Sequence, residues 1–247
     1  NVKSNIMEFI TIASTGDATN FGDLTVPRSH TSGTSSPTRG VIIGGVDDSV
    51  VLNVIDFITI TTLGDAIDFG DTTHSWYAGF GFANTVRGIA GGGQTPDSPN
   101  NMNNGIDMIT IRTTGNATEF GDLTLNSGGR YAAGGASNAT RGLIAGGRYN
   151  PGTYTNAIGY ISISSLGNEV EFGDLTLARW EIHGGMASST RACFQGGDSP
   201  GIPSASADNR IDFVTIATTG NAVDFGDLTR SAQVGQGLSD THGGLAQ

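Results

Sequence analysis

Apolar and polar residues alternate along this chain in short runs that glycine interrupts, and the runs come round again. Five segments carry the pattern: ITIASTGDATNFGDLT (10–25), ITITTLGDAIDFGDTT (58–73), ITIRTTGNATEFGDLT (109–124), ISISSLGNEVEFGDLT (161–176) and VTIATTGNAVDFGDLT (214–229). In each, alternation with a period of two predicts a half-buried strand, and Gly-Asn or Gly-Asp predicts a tight turn that tolerates positive φ. A second strand carrying Phe-Gly-Asp follows. The phenylalanines, Phe21, Phe69, Phe120, Phe172 and Phe225, recur about every fifty residues, the mark of a repeat architecture.

Each period holds two further strands. In the second copy these are a small-residue strand over Tyr77–Ala83 and an apolar strand closed by glycines, Arg87–Gly92. A polar loop from Gly93 to about Asn104 leads to a third strand, Ile106–Thr113, and the fourth is Thr118–Leu123. The apolar strand recurs as RGVIIGG (39–45), RGLIAGG (141–147) and RACFQGG (191–197). No stretch keeps a helical period long enough for a helix. Four antiparallel strands in five copies predict an all-β chain, a single five-bladed β-propeller over residues 1–247. The blades fall at approximately 29–73, 77–124, 131–176 and 180–229, and a fifth joins 232–247 to 1–25. In that shared blade the C-terminus would supply the inner strands, 232–238 and 242–247, and the N-terminus the outer ones, 6–14 and 19–24, leaving no free edge. First strands built from Gly, Ala, Ser and Thr suit a narrow channel, with Phe80 or Phe82 expected to plug it.

An apolar strand ending in Gly-Gly, a variable loop and an aromatic-Gly-Asp-Leu fourth strand resemble kelch-type propeller repeats, with Phe in place of the family's tryptophan. The string ITIASTGDATNFGDLT followed by Thr-Arg-Gly is also similar to repeats in virion and tail-associated proteins of bacteriophages, cyanophages especially. The resemblance covers essentially the whole chain. It departs from the family in blade number, since six or seven are commoner, and in Thr241-His242-Gly243 where other copies read Thr-Arg-Gly. A virion or extracellular location is what it implies.

Composition narrows the partners. Glycine takes 39 of the 247 positions but proline only 7, which fits a turn-rich β protein rather than a disordered one. Twelve Lys and Arg against 23 Asp and Glu leave a formal charge of −11, which argues against a nucleic-acid partner and an anionic membrane face. The single cysteine, Cys193, lies between Ala192 and Phe194 and reads as a small buried hydrophobe. The chain opens Asn-Val-Lys without Met, as a piece excised from a longer polypeptide would.

Residues present in every copy are expected to do what every blade must do. The acids Asp23, Asp71, Asp122, Asp174 and Asp227 are therefore read as structural, pairing with a backbone turn or with the repeated Arg39, Arg87, Arg141 and Arg191. Five identical acids do not make a catalytic set, which needs groups tuned differently. No calcium-loop pattern is present beyond a weak candidate at Asp47, Asp48 and Asp198. The four histidines have no zinc-binding spacing, and no nucleophile elbow or P-loop occurs. No metal, no cofactor and no enzymatic activity are expected.

The positions that escape the repeat carry the candidate site. Links between blades hold Arg28, His30, Trp76, Tyr77, Arg130, Tyr131, Trp180 and His183, and the loop after the third Gly-Gly holds Tyr149 and Tyr154. Links and loops open on one rim in blade topology. Aromatic rings beside Arg, Asp and Asn there would form a platform for a sugar, rings against C–H faces and polar groups on hydroxyls. Trp76 and Trp180 have an alternative role as caps on the core between blades. The expected function is a non-enzymatic recognition module for a surface glycan or a virion or host surface protein. The alternatives are a purely structural virion component and a secreted bacterial lectin-like propeller.

Overall fold

The computed structural model describes residues 3–48, 50–96, 102–150, 153–182, 184–199, 207–233 and 237. The chain opens with an antiparallel hairpin of β1 (Ser4–Phe9) and β2 (Thr19–Arg28). Four four-stranded antiparallel sheets follow. The first holds β3 (Ser32–Ser35), β4 (Arg39–Ile43), β7 (Val54–Thr59) and β8 (Ile67–Asp71), with the ribbon β5 (Val46–Asp47) and β6 (Val50–Val51) in its loop. The second is β9 (Phe80–Ala83), β10 (Arg87–Gly91), β11 (Gly105–Thr110) and β12 (Thr118–Asp122). The third is β13 (Gly134–Ser137), β14 (Arg141–Ala145), β17 (Ala157–Ser162) and β18 (Val170–Asp174), with the ribbon β15 (Arg148–Asn150) and β16 (Thr153–Tyr154). The fourth is β19 (Gly185–Ala187), β20 (Arg191–Gln195), β21 (Arg210–Thr215) and β22 (Val223–Asp227). Among the described residues there is no α-helix.

Among the described residues three buried clusters lie between successive sheets. Val41, Ile43, Phe57 and Phe69 of the first sheet meet Ala90, Ile109 and Ile111 of the second. Phe82, Ile89 and Phe120 meet Ile144, Ile161 and Ile163, and then Leu143, Ile158 and Phe172 meet Phe194, Val214 and Ile216. The sheets therefore stack face to face in chain order. A bulge in the third-to-fourth strand ladder recurs beside Asp56, Asp107, Gly159 and Asp212. It turns Phe69, Phe120 and Phe172 into the core while the preceding Asp68, Glu119 and Glu171 face water. Burial of each ring stabilises by roughly 1.5–3 kcal/mol.

The Phe-Gly-Asp strand then fastens each unit to the next. The N–H of Gly115 donates to the Phe69 carbonyl at 2.7 Å, that of Ala117 to the Asp71 carbonyl at 2.8 Å, and the Asn116 side chain accepts from the Asp71 N–H at 3.1 Å. The same three bonds join Asp65 to Asp23, Asn168 to Asp122 and Asn221 to Asp174. The motif glycine permits the approach, since a Cβ on Gly121 would strike the Gly167 carbonyl. Thus Asp23, Asp71, Asp122 and Asp174 do meet a turn, through their backbone N–H, and Asp227 does not among the described residues. They do not meet the repeated arginines. Arg39, Arg87 and Arg141 instead donate to the carbonyls of Ile111, Ile163 and Ile216 in the following sheet, at 2.9, 2.8 and 3.0 Å.

Several expectations are corrected. The first strand of the second sheet begins at Phe80 rather than Tyr77, because Ala78 takes φ 52 and breaks the extended chain. Phe80 and Phe82 do not plug a channel. Their rings stack at 5.6 Å within the core, where Gly142 leaves room for Phe82. The small first strands do pack closely, since a Cβ on Gly81 or Gly135 would strike the carbonyl of Gly33 or Gly81. The expected C-terminal strands fall largely outside the described residues, as does His183.

Candidate functional site

The links between sheets share one backbone device. Ser29-His30, Tyr77-Ala78, Tyr131-Ala132 and Trp180-Glu181 each place their second residue in the left-handed region, at φ 56, 52, 56 and 57. The first residue of each pair bridges to the residue that follows Gly-Gly: Ser29 to Val46, Tyr77 to Gln94, Tyr131 to Arg148 and Trp180 to Asp198. Every unit so presents one side chain from its link and one from its loop at the same place on one rim. Left-handed backbone at a non-glycine residue costs of order 1–3 kcal/mol, and it clusters at functional sites.

The consequence is a row of rings. His30 meets Tyr77 edge-on at 5.9 Å, and Tyr77 meets Tyr131 at 5.8 Å. Tyr131 meets Trp180 at 5.7 Å and Tyr154 meets Trp180 at 5.8 Å, with the ring planes tilted by 36° and 34°. Arg148 lies over Tyr131 and Trp180, at 4.8 and 4.9 Å from the ring centres. Its guanidinium forms no ion pair or hydrogen bond among the described residues. The Tyr77 hydroxyl donates to Gln94 Oε1 at 2.6 Å, and the Lys3 ammonium donates to Ser29 Oγ at 3.0 Å. His30 is exposed; Tyr77, Tyr131, Tyr154, Trp180 and Arg148 are half-buried.

Partial burial sets the electrostatics here. It lowers the His30 pKa, helped by the Lys3 ammonium, and so favours neutral imidazole. It raises the Tyr77 and Tyr131 hydroxyls, opposed in both cases by Arg148. It also raises the Glu181 carboxyl, with Asp198 adding like-charge repulsion. Among the described residues the rim thus offers the Arg148 cation over two rings, the Lys3 ammonium at one end, the Glu181 and Asp198 carboxyls and neutral hydrogen-bonding groups.

Five of the ten candidate residues, His30, Tyr77, Tyr131, Tyr154 and Trp180, come together in this row. Arg28, Arg130 and Trp76 do not. Arg28 is buried against Asp56 at 3.0 Å, and Arg130 against Glu169. Arg179 repeats the arrangement with Asp212 at 3.0 Å. Trp76 occupies the same link position in the second sheet and is fully buried, a cap on the core. Asp107, the acid of that sheet, has no arginine. Its pKa is raised by burial, opposed by hydrogen bonds from Thr73. Tyr149 sits half-buried on β15 with no ring contact to the row. Arg148, Gln94, Glu181 and Asp198 complete the rim and were not singled out together from sequence. Their signal is position, directly after Gly-Gly or after the link aromatic, where the repeat stops repeating.

No group of three or more His, Cys, Asp or Glu side chains converges among the described residues. A cavity of ≈ 350 Å³ lies elsewhere, on the outer hairpin of the fourth sheet, lined by Phe213, Thr215, Thr218, Asn221 and Val223 and by no ionisable group. No helix among the described residues is long and apolar enough to cross a membrane.

The fold is that of an all-β protein of stacked four-stranded antiparallel sheets, consistent with a β-propeller-like arrangement. No protein-family model matches the chain, and no curated protein matches it in sequence. Among solved structures it is similar to that of YjhT, with 13% sequence identity over 89% of this chain and 77% of the other, at a TM-score of 0.69. At that identity the likeness concerns the fold.

Proposed function

We propose that the chain is a five-bladed propeller, closed by a blade shared between its N- and C-terminal strands, and that it is a non-enzymatic recognition module for a surface glycan. The observation that supports this reading most is the unbroken row His30–Tyr77–Tyr131–Trp180–Tyr154, which spans the links of all four sheets with Arg148 set into it. Half-buried rings of this kind offer flat apolar faces at low entropic cost, and Gln94, Glu181, Asp198 and Arg148 stand beside them to read hydroxyls or an acid group. The likeness of the repeats to those of phage virion proteins favours a polysaccharide on a bacterial surface as the ligand, and a kelch-like module on a virion as the setting.

A glycan array probed with the native chain and with a Tyr131→Ala/Trp180→Ala variant tests the reading. Selective binding is expected, weakened at least about tenfold in the variant, equivalent to about 1.4 kcal/mol. Equal binding by a folded variant would remove the row from the site. No binding by the native chain would favour a structural virion component, a reading that the full burial of Trp76 also supports.

A further inference from the structure

Four times along the chain one unit is fastened to the next by the same set of contacts. The Phe of Phe-Gly-Asp is buried, with Phe21, Phe69, Phe120 and Phe172 no more than 7% exposed. The motif glycine lies against the turn glycine of the next unit, as Gly22 on Gly64, Gly70 on Gly115, Gly121 on Gly167 and Gly173 on Gly220. The next turn's Asp or Asn accepts the motif Asp N–H. The Thr that closes the motif bonds an acid of the next unit, as Thr25 on Asp56, Thr73 on Asp107 and Thr176 on Asp212, with Thr124 on Glu169. Where the repeated arginine precedes such a junction it reaches the carbonyl of a fully buried isoleucine, Ile111, Ile163 or Ile216.

Both halves of a fifth such junction are present and unused. On the fourth sheet Phe225 is 57% exposed, no atom of another residue lies within reach of a Cβ on Gly226, and Asp227, Thr229 and Arg191 are exposed. On the N-terminal hairpin Ile12 is 87% exposed, where its counterparts Ile111 and Ile216 are fully buried, and Asp17 and Glu8 are exposed. None of these side chains has a hydrogen bond or ion pair among the described residues. Residue for residue the two surfaces match: Gly226 to Gly16, the Asp227 N–H to the Asp17 carboxylate, Thr229 to Glu8, and Arg191 to the Ile12 carbonyl.

We infer that the two surfaces are each other's partners within one chain, and that the fourth sheet clasps the N-terminal hairpin through these four contacts. The inference rests on the five-bladed reading and names the chemistry of its seam. A second copy could offer the same halves head to tail, but the intrachain clasp loses no translational freedom and is favoured by its effective concentration. The ordering of the inner strands points the same way, since Gly237 lies against Gly185 and Met186, continuing the series Gly33, Gly81, Gly135, Gly185.

Cross-linking decides it. Asp17→Cys/Asp227→Cys, in a chain carrying Cys193→Ser, is treated with a short bis-maleimide, and Asp174→Cys/Asn221→Cys serves as the pair at a formed junction. An intrachain cross-link in comparable yield is expected. Dimers and longer adducts would overturn both the clasp and the closed ring in favour of head-to-tail copies. No cross-link in a compact monomer would overturn the clasp alone, leaving the ring to close through strand pairing. As a second readout, Arg191→Ala is expected to lower the melting temperature as much as Arg141→Ala does, and no change at Arg191 would count against the clasp.

Discussion

Removing the carboxylate of Asp56 is expected to cost far more than removing the arginine it faces. Asp56 is fully buried and accepts three bonds, from the Thr25 N–H at 3.1 Å, the Thr25 hydroxyl at 2.7 Å and Arg28 Nη2 at 3.0 Å. In Asp56→Ala the Arg28 guanidinium stays buried with only the Val54 and Ile42 carbonyls to bond, each at 3.4 Å. An uncompensated buried charge costs about 3–5 kcal/mol. For a domain of this size one kcal/mol moves the melting temperature by about 2–4 °C, so a fall of roughly 6–20 °C is expected. Arg28→Met leaves the carboxylate with both Thr25 bonds, the condition Asp107 already tolerates opposite Trp76 with Thr73 at 3.0 and 2.6 Å. Its cost should be nearer about 1–3 kcal/mol. Replacing both residues, as Arg28→Met/Asp56→Leu, should restore most of the loss. Melts of the native chain and the three variants, followed by β-type circular dichroism, separate these cases. If Asp56→Ala melted with the native chain, or the double variant were as unstable as Asp56→Ala, the reasoning would fail.

Two further outcomes follow from the same framework. Burial holds the Asp107 carboxyl above its ordinary value, so its neutral form favours folding; that contribution is complete below the unfolded pKa and is lost as pH rises through the folded one. Asp107→Asn should therefore flatten the decline of melting temperature above about pH 4, and an unchanged slope would remove Asp107 from the pH dependence. Gly121→Ala should destabilise by about 1–3 kcal/mol through collision with the Gly167 carbonyl, with no φ strain to confuse the result. A melting temperature equal to that of the native chain would show the junction to be looser than its hydrogen bonds imply.

Local pattern carried far into the architecture. Alternation, turn glycines and the return of Phe-Gly-Asp were enough to read an all-β chain of four-stranded antiparallel units, because every unit buries the same face and each must bury it alike. The same regularity reads the repeated Asp and Arg as structural. Partners across a junction were not legible. The acids lie beside a turn about 45 residues away, as Asp23 beside Asp65, rather than beside the arginines, since sheet stacking sets that pairing and sequence separation does not.

The candidate rim was half legible for a related reason. Aromatics in the links are visible as residues that escape the repeat, but composition does not say which way a link side chain points. Trp76 and Trp180 differ by one place relative to the left-handed residue that follows, Ala78 or Glu181. Trp76 falls at the position of Arg28, Arg130 and Arg179 and is buried, whereas Trp180 falls at the position of Tyr77 and Tyr131 and joins the row. Arg148, remote from the links in sequence, enters the row only because the residue after Gly-Gly bridges back to the link. The chain alone determined the alternation, the turn glycines and the return of the repeat, all of which depend on neighbours a few residues apart. Which side chains face the rim, which pair in the core and which surfaces match across a seam were decided by tertiary packing, because those relations depend on distances that only the stacked sheets create.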